Sequence, residues 1–262
     1  MNLDIHTHGK LAKKLPFSQE YTKWLFQQAK NSNLDAICLT EHFNTLEFDS
    51  LYNFISHICK KDNDTFIYDN LKIFCGMEID IKESGHILAI SDFETILKLN
   101  KKLKPNMNKD NFLTFENLIS LLKSYNIIIG AAHPYRKGSN IPSLPLKLLN
   151  QLDFIDLNGK DIALNKDYTI NKTKELSEKL NINYIAGSDT HQATQYGCIY
   201  NSIFDDINTI EQLKYSIKNN KYSINISESI DIQVESATLL KKCLKKIYSM
   251  GGNYVDVLVS PR

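Results

Sequence analysis

Six of the seven histidines in this chain stand at the ends of short apolar runs, in company with acids or glycine. The clusters read Asp4-Ile5-His6-Thr7-His8, Thr40-Glu41-His42, Gly85-His86, Ala132-His133-Pro134 and Gly187-Ser188-Asp189-Thr190-His191. Glu78 adds a carboxylate in Gly76-Met77-Glu78-Ile79-Asp80. Imidazole and carboxylate are the ligands of Zn, Mn and Fe, and a metal site needs several of them converging. Histidines placed by core packing alone would not choose segment ends so consistently. The chain must therefore fold so that the ends of many separate runs meet, and the leading reading is a multi-metal hydrolytic centre. His57 alone lies outside the pattern and is expected on a helix surface.

The intervals between clusters say how the ends could meet. Short apolar runs at 2–6, 35–40, 71–79, 86–90, 127–132, 153–157 and 184–187 read as strands. Periodic stretches between them read as helices, with Ser18 and Thr114 as caps and Thr209/Gln212 at capping-box spacing. Strands alternating with helices imply a mostly parallel sheet, and seven of them suit an α/β barrel. In such barrels the carboxyl ends of the strands form one rim, which carries the active site. His6 and His8 are two apart on extended backbone and point the same way, so both could grip one ion. His86 fits less well, because it begins its strand. The polar, lysine-rich stretch 98–111 reads as a surface loop, and 234–250 as a lysine-bearing amphipathic helix, packed terminally rather than forming a nucleic-acid patch.

Composition narrows the rest. The 262 residues carry 31 basic and 30 acidic side chains, so no global charge draws the chain to nucleic acid or membrane. Hydrophobic residues make up 42%, enough for a sizeable core. The expectation is one domain over 1–262, with 228–262 a helix and tail packed on or beside it. The five cysteines are odd in number and lack a CxxC pair, and there is no signal-like segment or membrane span. A reducing cytoplasm with free thiols is expected, Cys38 and Cys75 being buried small hydrophobes.

In their order, DIHTH, TEH, GMEID, GHILAI, AHP and GSDTH resemble the motifs of the polymerase and histidinol phosphatase (PHP) superfamily, over residues 1 to about 200. The resemblance implies a distorted (β/α)7 barrel holding two or three divalent ions (Zn, Mn or Fe) and acting on phosphoesters. It implies that His6, His8, Glu78 and Asp189 hold one ion, that Glu78 bridges to a second bound by His133 and His86, and that His42 and His191 bind a third. Asp4 and Glu41 would stand behind these ligands, Asp4 orienting a histidine through its free ring nitrogen. Family members often carry a further ligand a few residues after the second histidine. Gly9–Lys14 offers none, so the third site is expected to be weak, open or completed from elsewhere.

The expected activity is hydrolysis of a small phosphomonoester by a metal-activated water, with Asp189, His191 and Glu78 at the reaction centre. Arg136, the only arginine besides Arg262, and the lysines Lys13, Lys14 and Lys160 follow rim strands and are candidates for holding the phosphate. The alternatives are a nuclease or nucleotide phosphodiesterase on the same metals, which would want an open basic groove, a related amidohydrolase, and a non-catalytic metal-stabilised scaffold. Nucleic acid is the less favoured partner and a membrane is not expected.

Overall fold

The computed structural model describes residues 1–259. In chain order the elements are β1 (Asn2–Thr7), α1 (Gln19–Asn31), β2 (Ala36–Leu39), α2 (Phe48–Ile58), a hairpin of β3 (Lys60–Asp62) and β4 (Thr65–Tyr68), β5 (Leu71–Asp80), β6 (His86–Ser91), α3 (Phe93–Leu103) and α4 (Phe115–Leu122). There follow β7 (Ile128–Ala132), α5 (Leu146–Leu149), β8 (Phe154–Asn158), α6 (Gly159–Leu164), α7 (Lys166–Leu180), β9 (Tyr184–Gly187), β10 (Ile199–Ile203), α8 (Ile210–Lys218), β11 (Tyr222–Ile226), α9 (Ile230–Ser249) and α10 (Asp256–Val259). The expected caps form: Ser18 accepts the Tyr21 amide, Thr114 the Asn117 amide, and Thr209 with Gln212 closes a capping box. Of the expected surface loop 98–111, residues 104–111 form largely exposed turns, but 98–103 are helical. Asp92 caps α3, whose Ile96, Leu99 and Leu103 are buried at helical spacing while the lysines face water.

All seven expected strands form, and they make the barrel: β1, β2, β5, β6, β7, β8 and β9 are neighbours in that order. The pairs β1–β2, β2–β5, β7–β8 and β8–β9 are parallel. Strand β6 runs against both neighbours. Its first residue therefore lies at the rim where the parallel strands end, opposite Asp80 and Ala132. That reversal explains why His86 begins a strand and still belongs with the others.

The ring closes between β9 and β1 only near the rim. There Asp189 donates its amide to His6, and His8 donates to Thr190. Deeper down, β10 pairs with β1, and the fully buried Asn201 side chain bridges the seam. Its amide donates to the Leu3 and Ala186 carbonyls, and its oxygen accepts the Ala186 amide. Leu3, Ala36, Phe74, Leu88, Ile128, Phe154 and Ile185 fill the barrel below the rim, and Ile210, Leu213 and Ile217 of α8 close its floor. A larger apolar layer, including Leu25, Ile37, Leu51, Ile73, Leu99 and Leu118, lies between strands and outer helices. Cys38 and Cys75 are buried, as their apolar surroundings require. Among the described residues no helix is long and apolar enough to cross a membrane.

Candidate metal centre

The histidine pair on β1 depends on a backbone irregularity. The β1–β2 register shifts between Asp4 and Thr7. Leu3 and Ile5 both pack in the inner core, yet His6 still turns its ring onto the rim. Asp4 consequently does not reach an imidazole. Its Oδ1 accepts the backbone amides of His6, at 3.2 Å, and Ser188, at 3.0 Å, tying β1 to the loop after β9. The ring-orienting role expected of Asp4 falls to Asp156 on β8, whose Oδ2 lies 2.9 Å from His6 Nδ1. Gly187 is forced by the same packing: a Cβ there would stand 2.5 Å from His6 Cβ and 2.6 Å from Asp156 Oδ1.

Glu78, at the end of β5, is the hub. Its Oε1 lies 2.7 Å from His86 Nδ1 and 2.9 Å from His133 Nε2. Its Oε2 lies 2.7 Å from His42 Nδ1, 3.5 Å from His8 Nε2 and 3.7 Å from His6 Nε2. Asp189 Oδ1 stands 3.1 Å from His8 Nε2 and 3.8 Å from His6 Nε2. His191 stacks on His8 with ring centroids 3.9 Å apart. Three groups are close enough to hold an ion each: His6, His8, Glu78 and Asp189; Glu78, His86 and His133; and His8, His42 and His191. The third is completed by His8, which also belongs to the first; no ligand comes from Gly9–Lys14.

The donor set fits divalent ions. His6 Nδ1 meets Asp156 Oδ2 and its Nε2 faces the Glu78 carboxylate. Burial opposes a charge on the ring, but these two acids outweigh it and hold its pKa well above the ordinary value, as Asp189 and Glu41 raise that of His8. His6 Nε2 and the Nδ1 atoms of His8 and His133 are buried without a hydrogen-bond partner. A divalent cation can take the place of the shared protons here, because imidazole nitrogens and a buried carboxylate oxygen converge, His6 Nε2 and Glu78 Oε2 lying 3.7 Å apart. Burial, with Arg136 beside it, pushes His133 down to about 4, and burial pushes His42 down to about 4 against the pull of Glu78, leaving both neutral and ready to coordinate. His86 goes the other way. Burial opposes its charge, but Glu78 and Asp80 outweigh it and lift the ring to about 9. Burial likewise opposes ionisation of Glu78 and Asp189, but the histidines around Glu78, and Arg136 with His8 beside Asp189, hold both carboxyls well below their ordinary range.

The backing residues are partly those expected. Glu41 accepts the His42 amide at 2.9 Å and the Gly9 amide at 3.2 Å, and lies 3.5 Å from His8 Nδ1. Asp80 joins His86 Nε2, at 3.0 Å, to Lys13, at 2.8 Å. His133 and Asp189 both take positive φ, 31° and 59°, which turns each side chain inward at its strand end.

Arg136 reaches the centre. Its Nη1 donates to Asp189 Oδ2 at 2.6 Å, its Nε to Asp161 at 3.0 Å and its Nη2 to Asn158 at 2.7 Å. A cavity of about 660 Å³ opens here, lined by Arg136, His86, His133, Asp80 and Lys13. Lys14 is exposed and lines neither this cavity nor its neighbour, whereas Lys13 lines this one. Lys160 lines a separate cavity beside Asp189 and His191. Sequence reading missed Asp156 and Asp161. Asp156 carried a signal, an acid two residues before Asn158 in an otherwise apolar strand; Asp161, on a short helix, carried none. His57 is exposed on α2, as expected.

Comparison with known sequences and folds agrees with this architecture. The sequence model of the PHP domain matches residues 4–154, and that of a PHP-associated region matches 170–222. No curated protein matches. Among solved structures, PsfC from Pseudomonas syringae aligns with a TM-score of 0.73 at 21% identity, over 93% of this chain and 98% of that one. The lesion-specific endonuclease Q of Pyrococcus furiosus aligns with a TM-score of 0.63 at 19% identity, over 85% of this chain but 57% of its own. An amidohydrolase from Chromobacterium violaceum, solved with bound sulfate and no metal, gives 0.53 at 12% identity, over 85% and 98%. At these identities the likeness is one of fold.

Proposed function

Since the chain belongs to the PHP domain family, whose members are metal-dependent hydrolases, we propose that it is a phosphoesterase hydrolysing a small phosphomonoester. The observation that carries this reading is Glu78, whose two oxygens divide between the His86–His133 group and the His6–His8–Asp189 group. A buried carboxylate shared in this way suits a pair of ions, here Zn, Mn or Fe, held by His6, His8, Glu78, His86, His133 and Asp189, with His42 and His191 at a third position beside His8. When bound, such ions polarise a phosphoryl oxygen and lower the pKa of a water, so no protein nucleophile is needed.

The chain's own groups supply the positioning. Arg136 spends three of its five N–H donors on Asp161, Asp189 and Asn158, which fixes the guanidinium plane at the cavity wall. Two remain for the oxygens of a phosphate. Asp156 holds His6 in one tautomer and one orientation. The cavity of about 660 Å³ is the size of a small-molecule site, which favours a compact leaving group over a polynucleotide.

The test is a screen of phosphomonoesters and phosphodiesters on purified protein, stripped of metal and then given Mn, Zn or Fe. Monoester hydrolysis restored by an added ion is expected. Hydrolysis of diesters alone would move the reading to a nuclease or phosphodiesterase, and full activity without metal would end it.

A further inference from the structure

The site has a second opening, with no lining residue in common with the first. Lys160, at the start of α6, and Lys241, Lys242 and Lys245, from α9, surround about 220 Å³ whose inner wall is Asp189 and His191. Lys241 is half-buried and close enough to Asp189 and His191 for their charges to act on one another.

None of these four ammonium groups has an acidic partner among the described residues. Most lysines of this chain lack such a partner too, and what marks these four is that they converge on one cavity whose wall is Asp189 and His191. Lys241 and Lys245 are four apart on one helix, a like-charge spacing that weakens an isolated helix. Unpaired positive charge gathered beside the reaction centre raises the local concentration of anions. The phosphate under attack already has Arg136 and the metal-binding groups, so this charge is surplus to it.

We propose that the lysine cavity receives a second phosphate of the substrate, so that the protein acts on small bisphosphorylated compounds. This rests on the phosphoesterase reading above and specifies its substrate. A second phosphate suits the cavity better than a carboxylate, because a near-dianion matches several point charges at once. Hydrolysis consumes one water: a P–O bond forms to its oxygen, the ester P–O bond breaks, and the alcohol oxygen leaves with a proton. The second phosphate stays on the product, held by the lysines.

Alkanediol bisphosphates of increasing spacer length, each compared with the alkyl monophosphate of equal length, test this on the metal-loaded protein. At the spacer that bridges the two cavities, kcat/KM for the bisphosphate should exceed that of the monophosphate by about ten-fold, the effect of one added charged hydrogen bond. The Lys241→Gln/Lys245→Gln variant should lose most of that ratio through KM. Lys218→Gln on α8, outside both cavities, should keep it. A ratio near one at every spacer, or a ratio that survives the double variant, overturns the inference while monophosphate turnover keeps the phosphoesterase reading intact. Equal turnover of oligonucleotides would give the lysines to a polynucleotide and also overturn it. Failure to hydrolyse any phosphomonoester would remove the parent reading itself.

Discussion

Arg136 Nη1 donates to Asp189 Oδ2 at 2.6 Å, and this leaves Asp189 Oδ1 alone facing His8, His6 and His191. One carboxylate thus has two separate tasks. The outer oxygen anchors the guanidinium that overlooks the cavity, and the inner oxygen joins the histidines. On the proposed reading, substrate recognition and metal retention would be coupled through a single side chain.

Arg136→Ala should therefore do two things. Losing the phosphate partner should raise KM for a phosphomonoester by roughly ten- to a hundred-fold, from about 1.5–3 kcal/mol of charged hydrogen bonding. Releasing Asp189 should also weaken metal retention. Arg136→Lys should preserve the charge but not the three-way anchoring to Asp161, Asn158 and Asp189. Steady-state kinetics at saturating metal, paired with elemental analysis after dialysis, separates the two effects. Unchanged values in both would make the arginine a bystander.

Asp156→Asn isolates the support behind His6. The amide can still accept from His6 Nδ1, but the negative charge that strengthens the ring as a ligand is gone. Metal affinity should fall about ten- to a hundred-fold, as for other carboxylates behind ligand histidines. Circular dichroism should be unchanged. Equal affinity in a chelator competition would show that the contact at 2.9 Å does no more than pack the ring.

Much of this centre was legible in the sequence because a barrel rim converts segment ends into neighbours. His6, His8, Glu78, His133 and Asp189 each end a strand, and the position alone placed them together. The identity of Asp156 was visible but its partner was not: the register shift in β1 decides that Asp4 turns to backbone amides while Asp156 meets His6. No local pattern announces a bulge of that kind. The hairpin β3–β4 and the strands β10 and β11 escaped for a different reason. They are short or carry polar residues, as in Lys60-Lys61-Asp62 and Asn201-Ser202, and gain their structure from pairing. The α9 lysines read as ordinary solvated charge, and only packing sets Lys241 beside Asp189.

Asn201 makes the seam of the barrel a test of stability. Its side chain joins the Ala186 amide and carbonyl on β9 to the Leu3 carbonyl on β1. Asn201→Leu keeps the volume and removes all three hydrogen bonds from a dry interior. A loss of about 3 kcal/mol is expected, since buried unsatisfied polar groups carry their full desolvation penalty. Urea unfolding of wild type and variant, both metal-free, measures it. A loss below about 0.5 kcal/mol, the range of ordinary surface changes, would mean the seam closes without this residue.

Metal removal should reverse the pH dependence of the protein's resilience. In the metal-free chain His86 is lifted from 6.5 to about 9 by Glu78 and Asp80, against burial. A folded-state pKa above the unfolded one contributes stability that is complete below 6.5 and lost as pH rises through about 9. His42 and His133, held near 4, gain nothing further above 6.5, and Lys241, pushed down by burial to about 8, begins to oppose the loss only near that pH. Between about pH 7 and 8 the metal-free protein should therefore lose thermal stability. Metal affinity should move the other way. An ion bound at Glu78, His86 and His133 has to displace the His86 proton, so affinity rises by up to about ten-fold per pH unit for that proton over the same interval. Melting curves of stripped protein, and chelator competition with Mn or Zn at matched pH, give the two slopes. In His86→Asn both should become shallower, with His6 and His8, whose pKa values are raised by the acids around them, carrying what remains. If stripped wild type instead gains stability from pH 7 to 8 while His86→Asn behaves identically, the proton is not on His86 and the charge balance around Glu78 is different from the one drawn here.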